Sequence, residues 1–296
     1  IEEHILKEHP DKPMICCEYS HAMGNSSGAM DKYIALTERE PRFQGAFIWD
    51  YIDQAILAKD RYGREYYGYG GDFGDRPCDY NFCTNGIVYS DRRNSPKMQT
   101  VKYNYQSIVV KVGDGEAVIK NKALFTDTSE YEAKISVKKD GVPLYEAGFE
   151  VAVAPQSEAS VALPIKKEKV PGEYAVVVSF HLKEDTAWAK AGYEVAFGEY
   201  VYKVDQKAKA VTGSLVITDG KNNFGVRGDH FEVLFDRGGR GITSYRYLGR
   251  EFIDSAVRPN FWRAPIDNDR GNGMPARAGV WKLASQYAKI VKFGNY

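Results

Sequence analysis

The sequence predicts a multi-domain protein, α/β over residues 1–106 and all-β from residue 107 onward. Three observations carry that expectation. Helix-like and strand-like segments alternate through the first third of the chain. Short strands with frequent apolar–polar alternation then recur to residue 203 with no helical periodicity. More strands follow from Gly213, after a polar stretch at Gln206–Ala210 that reads as a linker. Helix, strand, helix, strand is the rhythm of a parallel sheet or barrel, and evenly spaced strands with turn signals between them suggest a β-sandwich.

The elements follow in order. Ile1, His4, Ile5 and Glu8 have helical spacing, which Pro10 ends. Met14–Cys17 is an apolar run short enough for a buried strand. A cap-rich stretch from Glu18 to Gly28 follows. Met30, Tyr33, Ile34 and Leu36 then fit a helix over 27–40, stopped by Pro41. Ala46–Trp49 reads as a second buried strand ending in the polar cluster Asp50–Gln54. Residues 59–94 have no periodicity and include Gly68, Gly70, Gly71, Gly74 and Gly86 among many aromatics, and a loop this long in a compact domain is usually functional. Ser95–Gln106 fits a closing helix with Pro96 in its first turn. Strands are expected at 109–112, 118–123, 131–137, 149–153, 160–163 and 174–182, with turns at Lys139-Asp140-Gly141 and Pro171-Gly172. Beyond the linker they are expected at 215–218, 224–226, 231–235 and 242–247, and no stop signal precedes Tyr296.

Composition narrows the function classes. Forty basic and forty acidic residues leave no net charge, so nothing marks a nucleic-acid or anionic-membrane partner. No apolar run approaches the ~20 residues of a membrane span. Cys16, Cys17, Cys78 and Cys83 lack zinc-site spacing and read as small buried hydrophobes, Cys16 and Cys17 on opposite strand faces.

Four clusters could carry chemistry. Glu18 stands at the C-terminal end of a strand, where α/β barrels place catalysis. Tyr19 and His21 beside it could donate hydrogen bonds that keep it ionised, as a glycosidase nucleophile requires. The residues alone equally allow a carboxylate that caps the next helix or pairs with an arginine. Trp49, with Asp50 and Asp53, offers a flat face to a sugar ring, or is a core tryptophan. Asp79–Gly86 is dense in hydrogen-bonding groups, or is an Asx-rich turn. Arg258–Gly273 mixes aromatics, prolines and acids as a self-packed loop, with Gly271 and Gly273 permitting a mobile tip. The glycine-rich segment Tyr69–Asp75 lacks the spacing and lysine of a phosphate loop and reads as a shaped wall.

Together these clusters resemble a known family. Glu18-Tyr19-Ser20-His21-Ala22-Met23-Gly24-Asn25-Ser26 is similar to the nucleophile motif of the β-galactosidases of glycoside hydrolase family 2. Gln44–Gln54 resembles that family's last barrel strand. Tyr69–Asp75, Asn81–Gly86 and Arg263–Asp269 follow in the family's order, and Thr186–Glu194 resembles part of its second sandwich. The resemblance implies the C-terminal part of a (β/α)8 barrel over 1–106, holding its seventh and eighth strands. It implies an immunoglobulin-like β-sandwich over 107–206 and the start of a large C-terminal β-sandwich over 207–296.

It also implies roles: Glu18 as nucleophile, His21 binding galactose hydroxyls, and Trp49 walling the galactose subsite. Asn85, through its side chain, and Phe82, through its carbonyl, would help hold a sodium ion that contacts the sugar. Gly271 would lie in a mobile loop bordering the site, and Asp79 in the loop network. The implied substrate is a lactose-like β-galactoside, and the implied parent enzyme a homo-oligomer of a bacterial cytoplasm or periplasm. That family's acid/base glutamate and magnesium ligands come from earlier strands with no counterpart here, so the resemblance implies an incomplete, inactive fragment. A non-catalytic carbohydrate-binding β-sandwich and a β-glucuronidase or β-mannosidase are the rival readings. Two strands of a parallel barrel cannot close, so residues 1–106 are expected to expose apolar faces, while the all-β part can bury its own core.

Overall fold

The computed structural model describes residues 1–206, 213–239 and 241–292. Most of the expected linker and the last four residues lie outside the described residues. The chain forms two compact units, Ile1–Lys207 and Ala208–Tyr296.

The first unit opens with helix α1 (Ile5–Glu8), strand β1 (Met14–Tyr19), helix α2 (Met30–Arg39) and strand β2 (Phe43–Ile48). β1 and β2 pair in parallel, Met14 opposite Phe43 and Tyr19 opposite Ile48, with a register irregularity between Cys16 and Tyr19 that takes in Glu18. The two strands form a sheet of their own. Its helix-facing side buries Tyr19 against Ala22, Met30, Ile87 and Val101. The other side is open: Ile15 and Phe47 are exposed, as expected of an unclosed barrel segment. The expectation of buried strands is therefore corrected, because a parallel strand is buried on both faces only when a layer covers each. The cysteines are corrected likewise: Cys17 is exposed and the other three are half-buried.

α2 starts at Met30, three residues later than its spacing predicts. The Ser26 and Ser27 hydroxyls donate to the carbonyls of Met23 and Ser20, and Ala29 turns left-handed at φ 59°, so these residues close the preceding turn. Within the stretch expected to be irregular, β3 (Ile56–Lys59) and β4 (Glu65–Gly68) form a hairpin around Asp60, whose carboxylate accepts from the Tyr62 and Arg64 amides. A 3-10 turn follows at Tyr80–Cys83, then helix α3 (Lys97–Tyr105), with Pro96 as its cap.

Next come β5 (Ile108–Val112), β6 (Glu116–Asn121), β7 (Tyr131–Lys139), β8 (Val142–Phe149), β9 (Ser157–Ala162), β10 (Gly172–Leu182) and β11 (Glu194–Val204). They form two antiparallel sheets, β5-β6-β9 and β11-β10-β7-β8. The inward residues of the sheets alternate along the strands and meet in one core, with Ile119, Ile135, Val178 and Phe180 fully enclosed. Gly198 lets β11 lie directly on β5: a Cβ there would stand 2.0 Å from the Val110 carbonyl oxygen. A strand expected at 149–153 is instead the end of β8 and an extended link. β8 and β11 go unrecognised in the pattern.

The sandwich is tied to α2 and α3. Gln106 trades two hydrogen bonds with the Phe197 backbone, Lys102 pairs with Glu194 at 2.7 Å, and Glu38 pairs with Lys120 and Lys122 at 3.1 and 3.0 Å.

The second unit is an antiparallel meander of β12 (Val216–Asp219), β13 (Asn223–Arg227), β14 (Phe231–Asp236), β15 (Gly241–Tyr247) and β16 (Arg250–Glu251). The short helices α4 (Asp267–Gly271), α5 (Met274–Arg277) and α6 (Ala284–Tyr287) follow. Among its described residues no hydrophobic side chain is buried. No helix among the described residues is long and apolar enough to cross a membrane.

Candidate active site

Glu18 is exposed at the penultimate position of β1, inside the strand rather than just past it. Around it the backbone knits a ring. Trp49 N–H donates to the Tyr19 carbonyl at 3.3 Å, and Ala22 N–H donates back to the Trp49 carbonyl at 2.7 Å. Asp50 N–H, across a cis Trp49–Asp50 peptide, donates to the Asn85 carbonyl at 2.7 Å. Asn85 Nδ2 donates to the Phe82 carbonyl at 3.0 Å, and the Phe82 ring lies 5.9 Å from that of His21, centre to centre. Glu18, His21, Trp49, Phe82 and Asn85, scattered over some seventy residues of sequence, thus stand on one connected frame. Glu18, His21, Trp49 and Phe82 are exposed, while Asn85 is buried.

The expected partners of Glu18 need correction. Successive strand side chains point to opposite faces, so Tyr19 turns away from the carboxylate beside it. Its hydroxyl meets that of Tyr105 at 2.5 Å, and its ring packs edge-on against Tyr33. Burial, followed by the Tyr105 hydrogen bond, pushes the Tyr19 phenol far above its ordinary range. Tyr19 therefore stays neutral and fixes the strand to the helices. Among the described residues no hydrogen bond reaches the Glu18 carboxylate from Tyr19 or His21. The carboxylate is open to solvent and to whatever approaches the end of the sheet.

Phe82 and Asn85 can be tested as cation donors. As placed, the Asn85 amide nitrogen faces the Phe82 carbonyl, and its Oδ1 is buried with no hydrogen-bond partner. A half-turn of the amide would set Oδ1 beside that carbonyl, giving two of the neutral oxygens a hard cation takes. The pair fits part of a sodium site. No three His, Cys, Asp or Glu side chains converge among the described residues.

Asp79 caps the 3-10 turn that presents Phe82. In the glycine-rich wall, the Asp72 carboxylate accepts from the Tyr69 amide, and the Asp75 carboxylate accepts from the Gly71 amide. Two residues next to the site, Lys97 and Tyr105, carry no signal in the local pattern. Both lie on α3 and reach the site only through the fold.

Three family models match consecutive stretches of the chain. They are described as glycosyl hydrolases family 2, TIM barrel domain (residues 1–110), beta-galactosidase, domain 4 (117–203), and beta galactosidase small chain (227–295). The chain belongs to glycosyl hydrolase family 2. Relatives named beta-galactosidase include those of Halalkalibacterium halodurans, 48% identical over 98% of this chain, and Clostridium acetobutylicum, 42% over 98%. That of Streptococcus thermophilus is 41% identical over 96%. The chain spans 29%, 33% and 28% of the length of these relatives.

Within this family 2 chain, Gly271 lies in the second unit, where a self-packed loop is expected. The segment is helical instead: Gly271 ends α4, and Gly273, at φ 72°, caps α5. The Asp269 carboxylate explains the change. It accepts both Arg263 guanidinium nitrogens, at 2.5 and 3.0 Å, and the Ile266 amide at 2.9 Å, fixing the first turn. Those bonds, the Arg263 pair first, hold its pKa below the usual carboxylate value.

Proposed function

We propose that this chain carries the nucleophilic half of a retaining β-galactosidase active site, with Glu18 as the nucleophile. The observation that carries the reading is the frame that presents an exposed Glu18, at the end of a parallel strand, together with His21, Trp49, Phe82 and Asn85. The relatives' name supplies the substrate class, a terminal β-D-galactoside.

A Glu18 oxygen attacks the anomeric carbon as the bond to the leaving oxygen breaks, forming a galactosyl ester with inverted configuration. The proton for that oxygen comes from an acid outside these residues. Water then gives its proton to that same outside group and displaces the carboxylate with a second inversion, so the product keeps the β-configuration. Trp49 offers its apolar face to the sugar, and His21 offers donors to its hydroxyls. Phe82 and Asn85 would hold sodium, which when bound supplies a fixed positive charge for sugar oxygens. The parallel pair over 1–106 is the last part of a (β/α)8 barrel in this reading, and the meander over 207–296 begins a larger sandwich. The three-on-four sheet order supports an immunoglobulin-like sandwich over 107–206.

The test is Glu18→Ala in the full-length protein. Turnover of an aryl β-galactoside is expected to fall by about a thousandfold or more. Azide should then restore it and yield the α-galactosyl azide, the product of one inversion. Undiminished turnover in the variant, or a β-azide product, contradicts the reading.

A further inference from the structure

Gly86 is held from both ends by charge. Its amide donates to Asp53 Oδ1 at 2.8 Å, and its carbonyl accepts from Lys97 Nζ at 3.1 Å. Both side chains are half-buried, and Gly86 itself is fully enclosed. The space around it is filled by backbone: a Cβ would stand 2.2 Å from the Asp53 nitrogen and 2.4 Å from the Ile52 carbonyl carbon. The next peptide is fixed as well, since Ile87 N–H donates to the Asp50 carbonyl and Ser95 Oγ to the Ile87 carbonyl. Asn85, one residue before Gly86, is 1% exposed, and its Oδ1 is buried with no hydrogen-bond partner.

We infer that Asp53 and Lys97 are positioning residues: as an anion on the Gly86 amide and a cation on its carbonyl, they fix the two peptides that flank Gly86 and so aim the Asn85 side chain. This rests on the proposed role of Asn85 in sugar and cation binding.

Charge is placed where it strengthens each bond. A carboxylate is a better acceptor for an N–H than a neutral oxygen, and an ammonium a better donor to a carbonyl. The Asp53 carboxylate acts on the N–H of the Asn85–Gly86 peptide and the Lys97 ammonium on the C=O of the Gly86–Ile87 peptide, so each charge matches the polarity of the group it meets. At its C-terminal end α3 is tied to Tyr19 by Tyr105, and at its N-terminal end to Gly86 by Lys97. The Lys97 amide donates to Ser95 Oγ at 3.2 Å, and α3 begins at this residue. Neither residue touches Glu18, so losing the clamp should loosen substrate binding more than it slows the bond-breaking step.

The experiment compares Lys97→Met, Lys97→Arg and Asn85→Ala in the full-length protein. It measures KM, kcat and the sodium concentration for half-maximal activity, with active sites counted by a 2-fluorogalactoside. Asn85→Ala should raise KM and the sodium requirement. Lys97→Met should raise both by about ten- to a hundredfold, the scale of one charged hydrogen bond, with kcat per counted site within about twofold. Lys97→Arg should recover most of the loss. A Lys97→Met variant that merely folds poorly shows fewer active sites with unchanged KM, which overturns the inference. So does a fall in kcat alone, or a failure of arginine to rescue. If Asn85→Ala itself leaves KM and the sodium requirement unchanged, the role of Asn85 fails first and the inference falls with it.

Discussion

Tyr19 and Gly86 show how single residues set the candidate site. Tyr19 adjoins Glu18 in sequence but belongs to the core, where its hydroxyl spans 86 residues to Tyr105. Tyr19→Phe removes one buried hydroxyl and leaves the other without that partner. It is expected to lower stability by about 1–3 kcal/mol, with little change in KM. Urea unfolding and steady-state kinetics on the same preparation check this. Gly86→Ala places a methyl group against backbone on several sides, and backbone gives way less readily than a side chain. A stability loss of about 1–3 kcal/mol is expected, read as a lower thermal midpoint, with KM raised through displaced Asn85. At this scale the sequence was informative where residues sit in ordered motifs: Glu18, His21, Trp49, Phe82 and Asn85 all stand on one frame. Lys97 and Tyr105 were illegible, because what they touch is decided by the docking of α3 and not by their neighbours in the chain.

Elements were legible in proportion to how strongly burial patterns them. The central strands β7 and β10 alternate cleanly and are recognisable. β8 and β11 are the two edges of the same sheet, and neither keeps strict alternation. An edge strand needs less apolar surface and often carries breakers such as Pro143 on β8. Between elements, Glu38 joins the C-terminal turn of α2 to β6. Burial raises its pKa, but the hydrogen bonds and charges of Lys122 and Lys120 outweigh this and hold it below 4.5. A carboxylate lowered in the folded state stabilises fully above its unfolded pKa and loses that contribution as pH falls through the folded value. The Glu38 contribution should therefore be present in full at neutral pH and shrink as pH falls below the ordinary carboxylate value and through the lowered one. Glu38→Gln is expected to cost up to about 1 kcal/mol at pH 7, as for other half-exposed pairs, and less at pH 3. Thermal midpoints of both proteins at the two pH values decide it.

Across the whole molecule, stability is unevenly distributed. Fourteen buried hydrophobic residues form the sandwich core, against five in the cluster beneath β1 and β2, and none among the described residues of the second unit. Limited proteolysis should leave a resistant species that retains residues 107–206, with early cuts near Tyr69–Asp75 and within the described residues of the second unit. Equal resistance along the whole chain would contradict this. The exposed Ile15 and Phe47 mark the open face of the parallel pair that bears Glu18, and the proposed mechanism draws its acid from outside this chain. The chain by itself is therefore expected to show no measurable hydrolysis of a chromogenic β-galactoside. The central claim remains the identity of the nucleophile, and covalent trapping tests it most directly. The full-length protein would be inactivated with a 2-deoxy-2-fluoro-β-galactoside bearing a good leaving group, then digested and its labelled peptide sequenced. The label is expected on Glu18; a label on any other residue would contradict the account.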